Sequence, residues 1–209
     1  MSLADCSTAS SDLSGSQQFM TKTAPSAFSA AALSVKAQKK LASKLANRTV
    51  TRLFISDATN RLLDDLSDVL KEVFPKKDAE KVVKNIIKLS VKIGILAQNN
   101  ILNHDEINQL FVVQKYLHSL ALAVISFQKV AYSYERSYFL QAMSNLKQSL
   151  APLVGVNLSD KSMKRLDHVF DHLTNMTFCD GLFKVNGPYA GQLTRIISHL
   201  ECLLDEKSL

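Results

Sequence analysis

From residue 28 onward the chain repeats apolar residues at helical spacing, and its few glycines and prolines, six and four in all, fall where such stretches should stop. No alternating pattern of useful length competes with that period. The expectation is an all-α fold, a bundle in which each helix turns one apolar stripe inward. At 209 residues, 46% apolar and 21% charged, the chain has room for one globular domain and a tail. Residues 1–27 are rich in Ser, Ala and Thr and bury too little to offset their ordering entropy, so they read as a disordered tail.

Six bundle helices are expected in the remainder, residues 48–209, after a short basic helix in residues 28–47. The first, about Val50 to Val73, sets Ile55, Leu62, Leu66, Val69 and Val73 against Asp64, Asp65, Asp68 and Glu72, and Pro75 ends it. The second, about Asp78 to Ala97, turns Val82, Ile86, Leu89, Ile93 and Leu96 away from Lys77, Lys81, Lys84, Lys88 and Lys92, a strip expected to pair with the acids of the first. The third starts at a capping box, Asn103 with Glu106, and runs to about Tyr132 with a core stripe of Ile107, Leu110, Phe111, Leu117, Leu120, Val124 and Phe127. The fourth runs from about Glu135 and stops before Pro152 and Gly155. The fifth, capped by Ser159, reaches about Thr177, and the last spans about Gly191 to Glu206.

Charge is concentrated in one place. Between Leu13 and Ser56 lie Lys22, Lys36, Lys39, Lys40, Lys44, Arg48 and Arg52, with no Asp or Glu, whereas the chain beyond is nearly balanced. On a helical wheel Lys36, Lys39, Lys40 and Lys44 share one side of residues 35–46, opposite Val35, Leu41, Ala42, Leu45 and Ala46. A basic amphipathic helix of this kind suits an anionic lipid surface, a solvated face, or the groove of a protein partner. Nucleic acid is not expected, because neither interleaved aromatics nor a duplex-reading motif is present.

Catalytic signals are missing. The chain has no G-x-G-x-x-G, Walker A, G-x-S-x-G or C-x-x-C, so it reads as a non-enzyme without a cofactor. His168 and His172 share a helix face, but no third ligand is evident, and hydrogen bonding within a helix packed through Leu166, Val169, Phe170 and Leu173 accounts for them without a metal. Tyr132, Tyr134, Glu135 and Arg136 form a polar corner, read as a structural network. Three cysteines at irregular positions and no leader-like start point to a reducing, cytoplasmic setting, with membrane contact peripheral. The longest largely apolar run, LALAVISF at 120–127, is too short to span a bilayer.

The succession AQKKLASK, LFISDATN, IIKLSVKIGIL, VISFQKVAYSYER, LDHVFDHL and LLDEKSL resembles the tumour-necrosis-factor-induced protein eight family, also called the TIPE family, over about residues 33–209. The resemblance implies a six-helix bundle preceded by a short basic helix and enclosing an elongated apolar cavity for the acyl chains of a phospholipid. It implies phospholipid or phosphoinositide binding and transfer, with regulation of cell death, autophagy or inflammatory signalling. Lys39, Lys40, Lys44 and Arg48 would take the headgroup, with Lys36 extending the patch. Leu41, Leu45, Ile86, Ile93, Leu110, Leu117, Val124, Phe127 and Val169 are candidates for lining the cavity. Gln98 and Gln114 stand where phosphoinositide-binding relatives carry Arg, and supply no charge. The alternative is an adaptor that docks signalling proteins such as small GTPases.

Overall fold

A computed structural model describes residues 28–42 and 57–205, excepting the side chains of residues 38–42 and 57. These form eight helices and no strand: α1 (Ala30–Ala42), α2 (Asp57–Val73), α3 (Lys76–Gln98), α4 (His104–Lys129), α5 (Arg136–Asn157), α6 (Asp160–Leu173), α7 (Met176–Leu182) and α8 (Ala190–Asp205). The expected six bundle helices are α2, α3, α4, α5, α6 and α8. The short α1 stands before them, and α7 is an addition.

The six pack as a closed ring in the order α2, α3, α6, α5, α4, α8 and back to α2, with α3 and α5 also touching across it. Six rods spaced at about 8–10 Å in a regular ring would leave roughly one helix width at the centre. The contact of α3 with α5 flattens this ring, and large side chains fill inward from every member: Leu70, Val83, Phe127, Met143, Leu166 and Ile197 are all buried. α1 lies outside, against α2 and α3.

Local signals place some helix ends, although Ser159, the expected cap of α6, makes no side-chain capping bond. The capping box forms: Asn103 Oδ1 accepts the Glu106 N–H at 2.9 Å, and Glu106 Oε2 accepts the Asn103 N–H at 2.8 Å. Pro75 separates α2 from α3, its carbonyl accepting the Asp78 N–H at 2.8 Å.

Three boundaries differ from expectation. α5 continues through Pro152 to Asn157, because Leu153 and Val154 on the following turn are 2% and 0% exposed and their burial offsets the hydrogen bond that proline cannot donate. The expected fifth helix divides into α6 and α7. Thr174 turns its hydroxyl back to the Phe170 carbonyl at 2.7 Å, and the Asn175 side chain caps α7 by accepting the Phe178 N–H at 3.1 Å. α4 stops at Lys129, and Tyr132 turns the chain with φ of 62°.

The stripe expected for α4 holds at Leu110, Leu117, Leu120, Val124 and Phe127, which lie in or against the core, and fails at Ile107 and Phe111. Ile107 and Phe111 are 40% and 57% exposed, while Val113, Ala121, Ala123 and Phe127 are buried. Apolar residues lie on more than one side of this helix, so periodicity did not single out the face that meets α5 and α8. By length and composition α4 is also apolar enough to cross a membrane, with a mean hydropathy of 1.6. It is tied to the bundle at several points: Gln109 donates to the Ser149 carbonyl at 3.0 Å, Gln128 to Thr194 at 3.4 Å, and Lys129 pairs with Glu201.

Candidate functional site

The acid-free segment begins on a helix held by backbone and polar contacts. Ala30, Ser34 and Ala37 recur on the inner side of α1, and Ala30 and Ser34 are buried. Such small residues let the helix approach closely. Asp64 of α2 accepts the Ala30 N–H at 2.7 Å, placing a carboxylate at the positive end of α1. Within the same seam Ser34 donates to Asn60 Oδ1 at 3.4 Å. Phe28, also buried, sits beneath the ammonium groups of Lys71 and Lys84, at 5.4 and 5.5 Å from its ring centre.

Where α1 crosses α3, Leu33, Ala37 and Ile87 floor a half-open hollow of about 200 Å³, and Lys36, Lys84 and Lys88 rim it. Aliphatic surface lines the hollow almost throughout, the three lysines contributing their stems, and the Lys84 ammonium sits over the Phe28 ring. That combination fits an amphiphile with an acidic head better than a bare ion, since an ion would gain nothing from the floor. Lys84 also pairs with Glu80 of its own helix at 3.1 Å.

The predicted site residues divide sharply. Lys36 is exposed and lines the hollow. Lys39, Lys40 and Leu41 belong to α1, their side chains outside those described, and Lys44, Leu45 and Arg48 lie outside the described residues altogether. Phe127 and Val169 are buried in the core, with Ile86, Ile93, Leu110, Leu117 and Val124 half-buried against it. Ile87, rather than Ile86, reaches the hollow. Gln98 buries both atoms of its amide without a hydrogen-bond partner, whereas Gln114 is exposed on α4.

Sequence reading missed Lys84, Lys88, Ile87 and Leu33 as parts of one place. The lysine strip was visible, but its expected pairing with the α2 acids is not the arrangement of Lys84 or Lys92. Asp64 is spent on α1, Asp65 on Arg195 and His199 of α8, and Asp68 on Lys71. Lys92 instead donates to Ser162 of α6 at 2.8 Å.

The other polar clusters are knit into the framework. The His168 and His172 rings stack at 4.3 Å, and His172 Nδ1 lies 2.8 Å from the His168 carbonyl. Burial first, then His172 and Lys81, lowers the His168 pKa below the ordinary imidazole value, and its Nδ1 is buried without a partner. Among the described residues no group of three His, Cys, Asp or Glu side chains is placed to hold a metal.

At the polar corner Asp180 is the hub the sequence did not reveal. It accepts from Tyr134 at 3.2 Å and from Arg136 Nε at 2.8 Å, with a second Arg136 contact through Nη2. Burial, then Cys179 and Asp180, pushes the Tyr134 phenol well above its usual range. Burial likewise pushes the Cys179 thiol up to about 12, so this cysteine carries little thiolate near neutral pH. Tyr132 is 89% exposed and stands apart from the hub.

A ring of six amphipathic helices with a lysine-bearing helix laid across α2 and α3 defines a class of all-α bundle proteins whose distinguishing surface is where that extra helix docks. Residues 28–207 match the family model described as tumor necrosis factor alpha-induced protein 8-like. Over 183 residues, 87% of the chain, it is 34% identical to tumor necrosis factor alpha-induced protein 8-like protein 1 of Danio rerio, covering 98% of that relative. It is 33% identical to tumor necrosis factor alpha-induced protein 8 of Gallus gallus and 32% to that of Homo sapiens, over 97% and 92% of their lengths. The chain belongs to the tumor necrosis factor alpha-induced protein 8 family.

Proposed function

We propose that this protein binds an anionic phospholipid, of which phosphoinositides are one class, and transfers it between membranes in the regulation of cell death, autophagy or inflammatory signalling. The observation that carries the reading is the hollow between α1 and α3, where an aliphatic floor adjoins Lys36, Lys84 and Lys88. The closed ring of helices supports it, since such a ring can part around acyl chains without breaking any single helix. Each buried acyl CH₂ contributes about 0.8 kcal/mol, so the chains supply affinity while the lysines choose the headgroup. Relatives named for induction by tumor necrosis factor support the inflammatory setting. On this reading Lys39, Lys40, Lys44 and Arg48 extend the cationic rim along the chain, the protein works in the cytoplasm with peripheral recruitment to membranes, and no catalytic step or cofactor is assigned.

The test is transfer of a fluorescent phosphoinositide between donor and acceptor vesicles by the full chain. Charge reversal at Lys39, Lys40 and Lys44 is expected to abolish transfer while leaving Tm nearly unchanged; undiminished transfer refutes the headgroup assignment. A second reading, an adaptor for signalling proteins such as small GTPases, is favoured by the exposed Ile107, Phe111 and Leu122 of α4. It predicts a protein complex lost on Phe111→Ser and no lipid transfer by the wild-type chain.

A further inference from the structure

Beside the hollow a second cationic surface crosses the bundle. Lys84, Lys88 and Lys92 stand one turn apart on α3 and share a helix face. On the α1 flank Lys36 joins Lys84 and Lys88 around the hollow. On the α6 flank Lys92 reaches the Ser162 hydroxyl at 2.8 Å, which brings Lys161 and Arg165 of α6 alongside it. Lys92 is depressed below the ordinary lysine range, first by partial burial and then by Arg165, Lys161 and Lys88, so the cations lie close enough to feel one another. Glu80 offsets Lys84, and Asp160 precedes Lys161 at the head of α6.

We propose that the ridge running from Lys36 through Lys88 and Lys92 to Lys161 and Arg165 is a docking face for an anionic bilayer, sharing Lys36, Lys84 and Lys88 with the hollow and extending past it onto α6. It rests on the reading that this protein meets anionic lipid, and adds how the bundle is oriented there. Cations gathered along one line raise the local positive potential, which attracts a surface of the other sign. Five of the six are lysines, compact charges on flexible stems, which suit a fluid array of headgroups. No Phe, Tyr or Trp belongs to this set to stack on bases, which disfavours nucleic acid.

The experiment is sedimentation of the full chain with phosphatidylcholine vesicles containing phosphatidylserine, at low salt. K161Q/R165Q, on the α6 flank away from the hollow, should lower vesicle partitioning roughly thirtyfold, the effect of two cations near a charged surface. K115Q/K184Q, which removes equal charge from exposed positions outside the ridge, should leave it unchanged, and K161R/R165K should restore it. Tm measured on each variant separates lost docking from lost folding. Equal losses in the two Gln pairs, or none in K161Q/R165Q, overturn the proposal. Wild-type protein that ignores these vesicles but binds polyglutamate overturns it in favour of an acidic protein surface. If the purified protein carries no lipid and yet sediments through Lys161 and Arg165, the docking face stands and only the lipid-holding reading fails.

Discussion

Asp64 on α2 accepts the N–H of Ala30, the first residue of α1, at 2.7 Å. One carboxylate thus fixes the start of the helix whose lysines are proposed to meet lipid, and couples its position to the bundle. Asp64→Ala should cost about 1 kcal/mol, as the loss of a capping side chain does. Hydrogen exchange should show faster exchange of the α1 amides and little change in α4 or α5; uniform loosening would contradict this.

The hollow is large enough to take an aromatic ring from its floor. Ala37→Phe should fill the space between Leu33 and Ile87 and change stability by less than about 1.5 kcal/mol. It should also weaken binding of a fluorescent phosphoinositide by about tenfold, equivalent to about 1.4 kcal/mol. Titration of the variant beside the wild type reads both quantities.

Because His168 titrates below the ordinary imidazole value in the folded chain, the unfolded chain binds more protons as pH falls. Its contribution to stability is complete above about pH 6.5, the unfolded value, and is lost as pH drops through that value toward the folded one. The groups acting on it are His172, Lys81, Asp78 and Asp171. Tm should therefore fall on acidification through this window, and His168→Gln, which takes up no proton there, should flatten the slope.

Phe183 is 5% exposed and lies with its ring centre 5.2 Å from Phe127, 4.8 Å from Tyr134 and 5.3 Å from Phe139. It joins the end of α7 to α4 and α5. Phe183→Ala should cost about 3–5 kcal/mol, the range for truncating a buried aromatic. Chemical denaturation gives the number.

Much of this was legible because its causes are local. A capping box needs only Asn103 and Glu106, and an apolar stripe needs only spacing, so the order of the helices followed from the chain itself, though not the division of the fifth into α6 and α7. What escaped depended on distant partners. Pro152 reads as a stop until Leu153 and Val154 are seen to be buried, and the exposed side of α4 is undefined until α5 and α8 occupy the other. Asp180 lies 44 residues from Arg136. The hollow needs Ala37 beside Ile87, and the ridge needs Lys92 beside Ser162, neither of which any periodicity encodes. Lys44 and Arg48 lie outside the described residues.

The central claim is that this protein holds a phospholipid, and native mass spectrometry of the purified full chain tests it most directly. The account predicts a species heavier than the polypeptide by one phospholipid, released as an anionic lipid on denaturation and restored when stripped protein is incubated with phosphoinositide vesicles. Protein at the polypeptide mass alone, before and after that incubation, would contradict it.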